Sequence, residues 1–309
     1  MTGPSTFTQW DLEVARCITT GLIFEAAAHP KPGLVDRVNP LKEIDIFRFS
    51  ASATSLYPYF AKAAALGRRG KGRGGLGPLI FEAVRETMRV QSGGNTHLGA
   101  ILLAMPLAAA AGGLDERVRA GGLRRAAVKV VRGLGTLDTI HIFRAIGYAR
   151  PGGLGRVPFL DVTSPETYAY LRRRRAGLLE ALEPYRGRDM VADELLGGYP
   201  LVFDVALKTL LQWRGRTDSF EKACVNALLE VMASRPDTHI VRRRGVVVAR
   251  IAQSMAKTAL GLGGAYTAKG VETALELDRY LRRIDARPGS SADILAASIG
   301  VSLLLGCRV

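Results

Sequence analysis

Four short segments bring titratable, glycine and amide residues together where helices are expected to begin or end. They are Glu25–Asn39, Gln91–Ala100, Pro236–Gly245 and Arg287–Leu295. Backbone amides at glycine-rich helix starts bind anions, carboxylates bind metals or accept protons, and arginines hold phosphates. Because prolines and glycines concentrate at these helix ends, the segments predict one pocket for an anionic ligand.

The first segment combines a helix stop with several charged residues. Two prolines stiffen the exit from the first helix, and Gly33 permits a positive φ. Lys31, Asp36 and Arg37 are thereby held in place, as a binding loop requires. A helix stop followed by a solvated charged turn is the alternative, and these residues alone do not decide between the two.

The second segment places Gly93 and Gly94 before a possible helix cap at Asn95 and Thr96. Free amides of the first helical turn, with glycines that allow close approach, would form an anion site. His97 in that turn should have a reduced affinity for a proton, which suits a neutral hydrogen-bonding role. An ordinary helix cap is the alternative.

The last two segments contain carboxylates close to other functional groups. Asp237 lies two residues before His239, and Arg242–Arg244 follow, so metal or base chemistry could sit beside a phosphate clamp. An exposed charge run is the alternative. Ser290 and Asp293 have the spacing of a capping box, and capping alone would explain them.

Helical periodicity positions these segments along the chain. The predicted helices run from the Thr8–Asp11 capping box to Pro30, from Asp45 to about Leu66 with an interruption at Pro58, from Pro78 to Val90, and over about 96–111, 115–132, 137–149, 165–183, 201–213, 218–234, 246–260, 268–284 and 291–306. Only His239–Val241 and Val246–Val248 are β-rich. We expect an all-α bundle of about twelve helices, with at most a short hairpin, in a single domain over residues 1–309.

The composition is that of a globular protein with an anionic partner. With 48% hydrophobic and 23% charged residues, disorder, collagen and coiled coil are excluded. Lysine and arginine outnumber acidic residues 43 to 28, and a net charge of +15 favours phosphate-bearing ligands. Charge does not separate nucleic acid from a nucleotide, but without a helix-turn-helix signature or an aromatic stacking series, nucleic acid is the less favoured partner.

Cysteines and apolar runs bear on where the protein works. Cys17, Cys224 and Cys307 are far apart, without disulfide or zinc spacing, which predicts a reduced cytoplasmic protein. No signal peptide is recognisable at the N-terminus. The apolar runs 98–111 and 294–306 are shorter than the roughly 18 residues of a membrane span. We therefore expect no membrane association, while a homodimer stays possible.

In order, the four segments resemble the triphosphoribosyl-dephospho-CoA synthase family. The matching residues are Glu25 with His29-Pro-Lys-Pro-Gly-Leu-Val-Asp-Arg-Val-Asn39, Ser92-Gly-Gly-Asn-Thr-His97, Asp237-Thr-His239 with Arg244-Gly245, and Pro288-Gly-Ser-Ser-Ala-Asp293. The corresponding family patterns are E…PKPGLVD, TGGVNTHKG, DTH…RG and PGGSADLLA. The resemblance spans the chain, and three such motifs in this order are highly specific.

The resemblance implies a glycosyl transfer. The family makes the prosthetic-group precursor for acyl carrier subunits by moving the triphosphoribosyl unit of ATP onto the 2′-hydroxyl of dephospho-CoA, with loss of adenine. Such a reaction needs a triphosphate grip, usually with Mg²⁺, a base for the hydroxyl, and stabilisation of an oxocarbenium-like centre. If β-linked ATP gives an α-linkage, a single displacement inverts the sugar carbon.

The implied roles divide the site residues into three overlapping groups. Nucleotide and phosphate binding falls to Lys31, Gly33, Arg37, Gly93, Gly94, Asn95, Thr96, Arg242, Arg244 and Ser290. Asp36, Asp237, His239 and His97 are candidates for catalysis, and Glu25, Asp36, Asp237 and Asp293 for magnesium. Which carboxylate is base and which binds metal stays open.

Departures from the family patterns concern the acceptor. One residue is missing between Gly94 and Asn95, Leu98 replaces a lysine, and Arg144–Gly155 marks a divergent branch whose acceptor can differ. Two rival functions use the same features: a magnesium-dependent all-α hydrolase of a nucleotide N-glycosidic or ADP-ribosyl bond, and a basic helical protein that binds nucleic acid.

Overall fold

The structure is a computed structural model that describes residues 7–70, 74–114, 118–153, 157, 159–212 and 219–309. These residues form sixteen α-helices and no strand. The first eight are α1 (Gln9–Ala27), α2 (Ile46–Ser55), α3 (Tyr57–Arg68), α4 (Leu76–Arg89), α5 (Leu98–Gly112), α6 (Ala120–Gly133), α7 (Thr136–Ala149) and α8 (Pro165–Arg174). The others are α9 (Leu178–Leu182), α10 (Met190–Gly197), α11 (Leu207–Gln212), α12 (Phe220–Ser234), α13 (Thr238–Arg244), α14 (Val246–Gly261), α15 (Ala268–Arg283) and α16 (Gly289–Leu304).

The all-α prediction is confirmed, although the described helices outnumber the twelve expected. The interruption at Pro58 separates two helices, because this proline lies in the first turn of α3. α10 was not predicted, and α16 begins at Gly289, so the predicted capping box of Ser290 and Asp293 does not form. The predicted boundaries at 115, 213 and 218 lie outside the described residues.

The β-rich stretches around residues 239–248 are helical, so the short hairpin allowed there does not form. The carboxylate of Asp237 accepts hydrogen bonds from the amides of His239 (2.8 Å) and Ile240 (3.1 Å) and thereby caps α13. A cap of this kind stabilises a helix by about 1 kcal/mol, which offsets the weaker helix propensity of β-branched residues.

The fold is built around a close antiparallel contact between α1 and α16. These two helices pack against each other more extensively than any other pair of described elements. Gly21 faces Ala296 and Gly300, while Gly300 faces Ile18. A Cβ on Gly21 would lie 2.6 Å from the backbone nitrogen of Gly300, so only glycine permits this approach.

α5 forms the interior of the molecule beside this pair. All of its residues except Gly99 are buried, and it packs against α3, α6 and α16. A helix that is apolar on every side belongs in a protein core or a membrane. Among the described residues, however, every helix is too short or too polar to span a lipid bilayer.

This arrangement brings the four sequence segments to one end of the bundle. Because α1 and α16 are antiparallel, the C-terminal end of α1 meets the N-terminal turn of α16. The first turn of α5 joins them through a hydrogen bond from the amide of Ala100 to Asp293 (2.9 Å). α13 joins through Asp237, which accepts from the amide of Ser291 (2.7 Å).

The α1–α16 contact gives a stability prediction. Gly21→Ala should destabilise the protein by about 1–3 kcal/mol, because the new methyl group meets backbone atoms that cannot turn away. Gly122→Ala in α6 is the matched control, since its added methyl group has no atom within 4 Å apart from its chain neighbours and the backbone of its own helix. That change should stabilise the helix by roughly 0.5–1 kcal/mol. Urea unfolding measures both values, and equal effects would contradict the proposed contact.

Candidate active site

A cavity of about 560 Å³ opens where the helix ends meet. The loop after α1, the first turns of α5, α13 and α16, and the segment after α7 line it. A cavity of this size holds a small molecule. The predicted site residues that line it are Glu25, Lys31, Gly93, Asn95, Thr96, His97, His239, Arg242, Ser290 and Asp293. The predicted residues outside the lining are Gly33, Asp36, Arg37, Gly94, Asp237 and Arg244.

Lys31 and Glu25 form a buried ion pair in the cavity wall. Burial raises the pKa of the Glu25 carboxyl, and the positive charge of Lys31 opposes that rise. An ammonium group has three N–H donors, and one of them is used by Glu25. Lys31 is therefore held in place with donors left for an anionic ligand.

Asp293 also faces the cavity, but no cation pairs with it among the described residues. Its Oδ1 accepts from the amide of Ala100, and Oδ2 has no hydrogen-bond donor in the described part of the chain. Burial within the protein raises the pKa of Asp293 well above its ordinary value, and the neighbouring carboxylates of Glu25, Asp237 and Asp189 raise it further. This carboxylate is the one best placed to gain a cation or a proton.

Asp36 lies behind the cavity, and its oxygens are occupied. Oδ1 accepts from the amides of Val38 (2.8 Å) and Asn39 (2.7 Å), and Oδ2 is 2.9 Å from Nδ1 of His29. Burial alone would raise the pKa of Asp36, but these hydrogen bonds outweigh it and lower the pKa. Asp36 thus shapes the loop that carries Lys31.

Asp237 has a similar supporting geometry. One oxygen caps α13, and the other accepts from the amide (2.7 Å) and hydroxyl (2.8 Å) of Ser291. The carboxylate joins the first turns of α13 and α16, the helices that carry His239 and Asp293. Ser290, which lines the cavity, has its hydroxyl 3.1 Å from that of Thr238.

His239 is held in one tautomer. Its Nδ1 lies 2.7 Å from the carbonyl oxygen of Arg287, so Nδ1 carries the proton and donates it. Nε2 is then an acceptor, and it lies 3.3 Å from the position of a Cβ on Gly152. Burial lowers the pKa of His239 below the ordinary 6.5, with nearby Arg242 and Arg243 adding to the effect and Asp237 opposing it. The imidazole is neutral at pH 7.

His97 is a second neutral imidazole. Its Nε2 is 3.2 Å from the carbonyl oxygen of Phe49, and the two rings meet edge to face. Burial lowers the pKa of His97 to about 4, and the charge of Lys31 contributes in the same direction. The direction is the one expected from the sequence, but the main cause is burial and not the end of the helix.

The glycine segment before α5 is arranged mainly by its own side chains. The amide of Gly93 donates to Oε1 of Gln91 (2.5 Å), and Oδ1 of Asn95 accepts from the amide of Leu98 (3.1 Å). The hydroxyl of Thr96 lies 2.6 Å from that of Ser52. Gly94 has a positive φ of 82°. Gly93 therefore has its amide already hydrogen-bonded, unlike the free cradle that the sequence suggested.

The basic residues of the third segment have different partners. Arg242 faces the cavity and pairs with Asp189, whereas Arg244 pairs with Asp285 at 3.1 Å outside the lining. Arg37 is half-exposed and pairs with Glu221. Gly33 has a positive φ and donates its amide to Asp278 (2.8 Å), so it shapes the turn before α2.

Several lining residues were not among the sequence candidates. They are Arg150, Asp189, Arg188 and Arg287, with Arg243 considered only as part of the arginine run. Asp189 caps the unpredicted helix α10, and an aspartate before Met-Val-Ala-Asp-Glu was a recognisable capping signal. Counting these residues, the lining carries six cationic and three acidic side chains. The cavity therefore favours a polyanion.

The cavity carboxylates meet the requirements of a magnesium ion that is bound through a nucleotide. Within the described residues, no three His, Cys, Asp or Glu side chains form a group that could hold a metal ion. Magnesium bound to a nucleotide needs only one or two carboxylates, because phosphates and waters complete its shell. Asp293, with its free oxygen, and Glu25 fit this smaller requirement, whereas Asp36 and Asp237 have their oxygens engaged.

A solved structure shows the same fold. The crystal structure of a candidate triphosphoribosyl-dephospho-CoA synthase from Archaeoglobus fulgidus superposes with a TM-score of 0.65 and 23% identity. The match covers 84% of this chain and 99% of that one. At this level of identity the likeness concerns the fold alone.

Sequence comparisons show the family. A protein from Stutzerimonas stutzeri is 32% identical over 286 residues, covering 90% of this chain and 87% of its own. One from Pseudomonas paraeruginosa is 31% identical over 290 residues, covering 90% and 86%. Both are named "Probable 2-(5''-triphosphoribosyl)-3'-dephosphocoenzyme-A synthase". A family model described as ATP:dephospho-CoA triphosphoribosyl transferase matches residues 11–308. The chain therefore belongs to the ATP:dephospho-CoA triphosphoribosyl transferase family.

Proposed function

We propose that this protein transfers the triphosphoribosyl group of ATP to the 2′-hydroxyl of 3′-dephospho-CoA, or of a related acceptor, and releases adenine. The observation that carries the proposal is that the motif segments of the matched family line or support one cavity with an excess of cations. The buried residues Cys17 and Cys224 form no disulfide, which suits the reducing cytoplasm where we place the reaction.

The donor would lie in the cavity with its triphosphate against the cations. Lys31 and Arg242 are fixed by carboxylates and retain N–H donors for phosphate oxygens. Ser290 also contributes to the lining and offers a hydroxyl to a phosphate oxygen. Apolar side chains of the same cavity, including Ile44 and Phe49, supply a surface for adenine.

His239 is the base that the geometry favours for the acceptor hydroxyl. Its neutral Nε2 accepts the proton of the 2′-hydroxyl as the oxygen forms a bond to the ribose C1′ of ATP. The bond between C1′ and adenine N9 breaks in the same displacement, and adenine leaves with the electron pair. The departing adenine takes up one proton from water, and His239 afterwards returns the hydroxyl proton to water, so the overall reaction neither releases nor consumes a proton.

Asp293 and Glu25 are the residues that would hold magnesium. The metal would neutralise phosphate charge and orient the triphosphate. The carboxylates of Glu25, Asp237 and Asp189 disfavour the negative charge of Asp293, which indicates a place where a cation is favourable. Asp36 and Asp237, which the resemblance also made candidates, act in this proposal as supports for the loop and for the two helices.

The reaction itself is tested by incubation with Mg-ATP and dephospho-CoA. We expect free adenine and the coupled product in equal amounts, measured by chromatography and mass spectrometry. Adenine without coupled product would support the hydrolase or another acceptor. ADP or AMP would contradict cleavage of the N-glycosidic bond, and salt-sensitive binding of random duplex DNA without turnover would favour the nucleic-acid alternative.

The role of His239 is tested by His239→Asn, which keeps a donor toward the carbonyl of Arg287. We expect turnover to fall by about 10²–10⁴-fold, as for loss of a general base. In the wild type, kcat/KM should fall as pH drops below the lowered pKa of His239, because the protonated ring cannot accept a proton.

A matched control for that variant is His141→Asn. Nδ1 of His141 also donates to a backbone carbonyl, that of Leu137 at 2.9 Å, and this histidine is not part of the cavity lining. The His141→Asn variant should have the activity and the pH profile of the wild type. An acid limb that persists in His239→Asn would remove His239 from the base role.

The two carboxylates are distinguished by Asp293→Asn and Asp237→Asn. The folded pKa of Asp293 is raised, so its ionisation costs stability as pH increases, and the neutral amide should raise the unfolding temperature at pH 8. Asp237→Asn places an amide group against N–H and O–H donors and should cost about 1–3 kcal/mol.

Binding separates the same two variants. Magnesium should increase the thermal stabilisation of the wild type by ATP, and the Asp293→Asn variant should not show that increase. Turnover of the same variant should be about 10²-fold lower than that of the wild type. If Asp293→Asn lowered the unfolding temperature as much as Asp237→Asn and kept its response to magnesium, Asp293 would be a structural residue.

A further inference from the structure

A second groove, lined in part by α7, adjoins the cavity. Its lining includes Phe81, Arg144, Tyr148, Arg150, Tyr168 and Arg242. Arg144, Tyr148 and Arg150 belong to the segment that begins at Arg144 and marks the divergent branch of the family. The end of that segment, Gly155, lies outside the described residues.

The groove presents aromatic rings to solvent. The side chain of Tyr148 is 48% exposed, and its ring meets that of Phe81 edge to face, with 6.1 Å between the centroids. Phe81 packs against the hydrophobic core and so holds the pair in place. An exposed tyrosine ring fixed in this way is a stacking surface for a nucleobase.

Cations lie next to the rings. The guanidinium of Arg144 is 6.0 Å from the centre of the Tyr168 ring, and Arg150 follows the last turn of α7. No carboxylate in the described part of the chain forms an ion pair with either arginine. A base surface beside two uncompensated guanidinium groups matches a nucleotide that carries a pyrophosphate.

The groove and the cavity are continuous. Arg150, Gly152, Gly153 and Arg242 contribute to the lining of both. A Cβ on Gly152 would lie 3.3 Å from Nε2 of His239, so the glycine leaves space directly beside this imidazole nitrogen. A nucleoside at this junction would have its nucleobase in the groove and a sugar hydroxyl within reach of His239.

We propose that this groove binds the adenine nucleotide end of the acceptor, while the cavity binds ATP. The acceptor adenine stacks on Tyr148, its pyrophosphate lies against Arg144 and Arg150, and its 2′-hydroxyl points past Gly152 to His239. The assignment rests on the proposed function. It gives the two adenine nucleotides of the reaction separate places in one protein.

The test is calorimetric titration of the wild type and variants of this chain with dephospho-CoA and, separately, with ATP. Tyr148→Ala should weaken binding of dephospho-CoA by about tenfold, and Arg144→Ala by a similar factor, because a stacking surface or a phosphate contact is lost. Affinity for ATP should be unchanged in both. Tyr148→Phe keeps the ring and should bind dephospho-CoA as the wild type does.

Phe47→Ala is the control, since Phe47 is 81% exposed and lies outside both linings. Unchanged dephospho-CoA affinity in Tyr148→Ala, an equal loss of ATP affinity, or no binding of dephospho-CoA to the wild type would overturn the groove assignment. Binding does not depend on turnover. Failure of the proposed function would instead appear as absent adenine or absent coupled product in the reaction assay.

Discussion

The geometry of the site depends on the hydrogen bonds that converge on Asp237. One carboxylate accepts from the first turns of two helices, so α13 and α16 are fixed relative to each other at the point where they enter the cavity. His239 and Asp293 are carried by these helices, and Asp293 then reaches the first turn of α5. The carboxylate of Asp237 stabilises this junction because both of its oxygens accept hydrogen bonds. Buried carboxylates are tolerated when donors surround them in this way.

The buried acidic residues of this region fall into two groups, one that stabilises the backbone and one that is available for binding or catalysis. Asp36 and Asp237 are satisfied by amides and hydroxyls and hold the backbone. Glu25 forms a buried ion pair with Lys31, whereas Asp293 keeps an oxygen without a donor among the described residues, under the influence of the carboxylates of Glu25, Asp237 and Asp189. A binding site for a charged ligand often lowers the stability of the protein, because its charged group has no partner until the ligand binds.

The sequence was sufficient for the fold class and for the segments that form the site, because helical period and capping residues are local signals. The sequence did not show which role each residue of the site plays. Asp237 and Asp293 are the same residue type in similar motifs, and only contacts between distant helices, such as Ser291 with Asp237, show which has a free oxygen. α13 was missed because its β-branched residues obscured the cap, and Arg150 because its importance depends on where α7 ends.

The contact between Gly21 and Gly300 joins helices that are almost a whole chain apart in sequence. Pairings of such long range slow folding, because the entropy of closing the intervening loop is lost before the contact can compensate for it. The cavity lies at the end of this helix pair, so it is completed only when the most distant parts of the chain have met. A partly folded chain would have no nucleotide site. Nucleotides would therefore be expected to slow unfolding without accelerating folding.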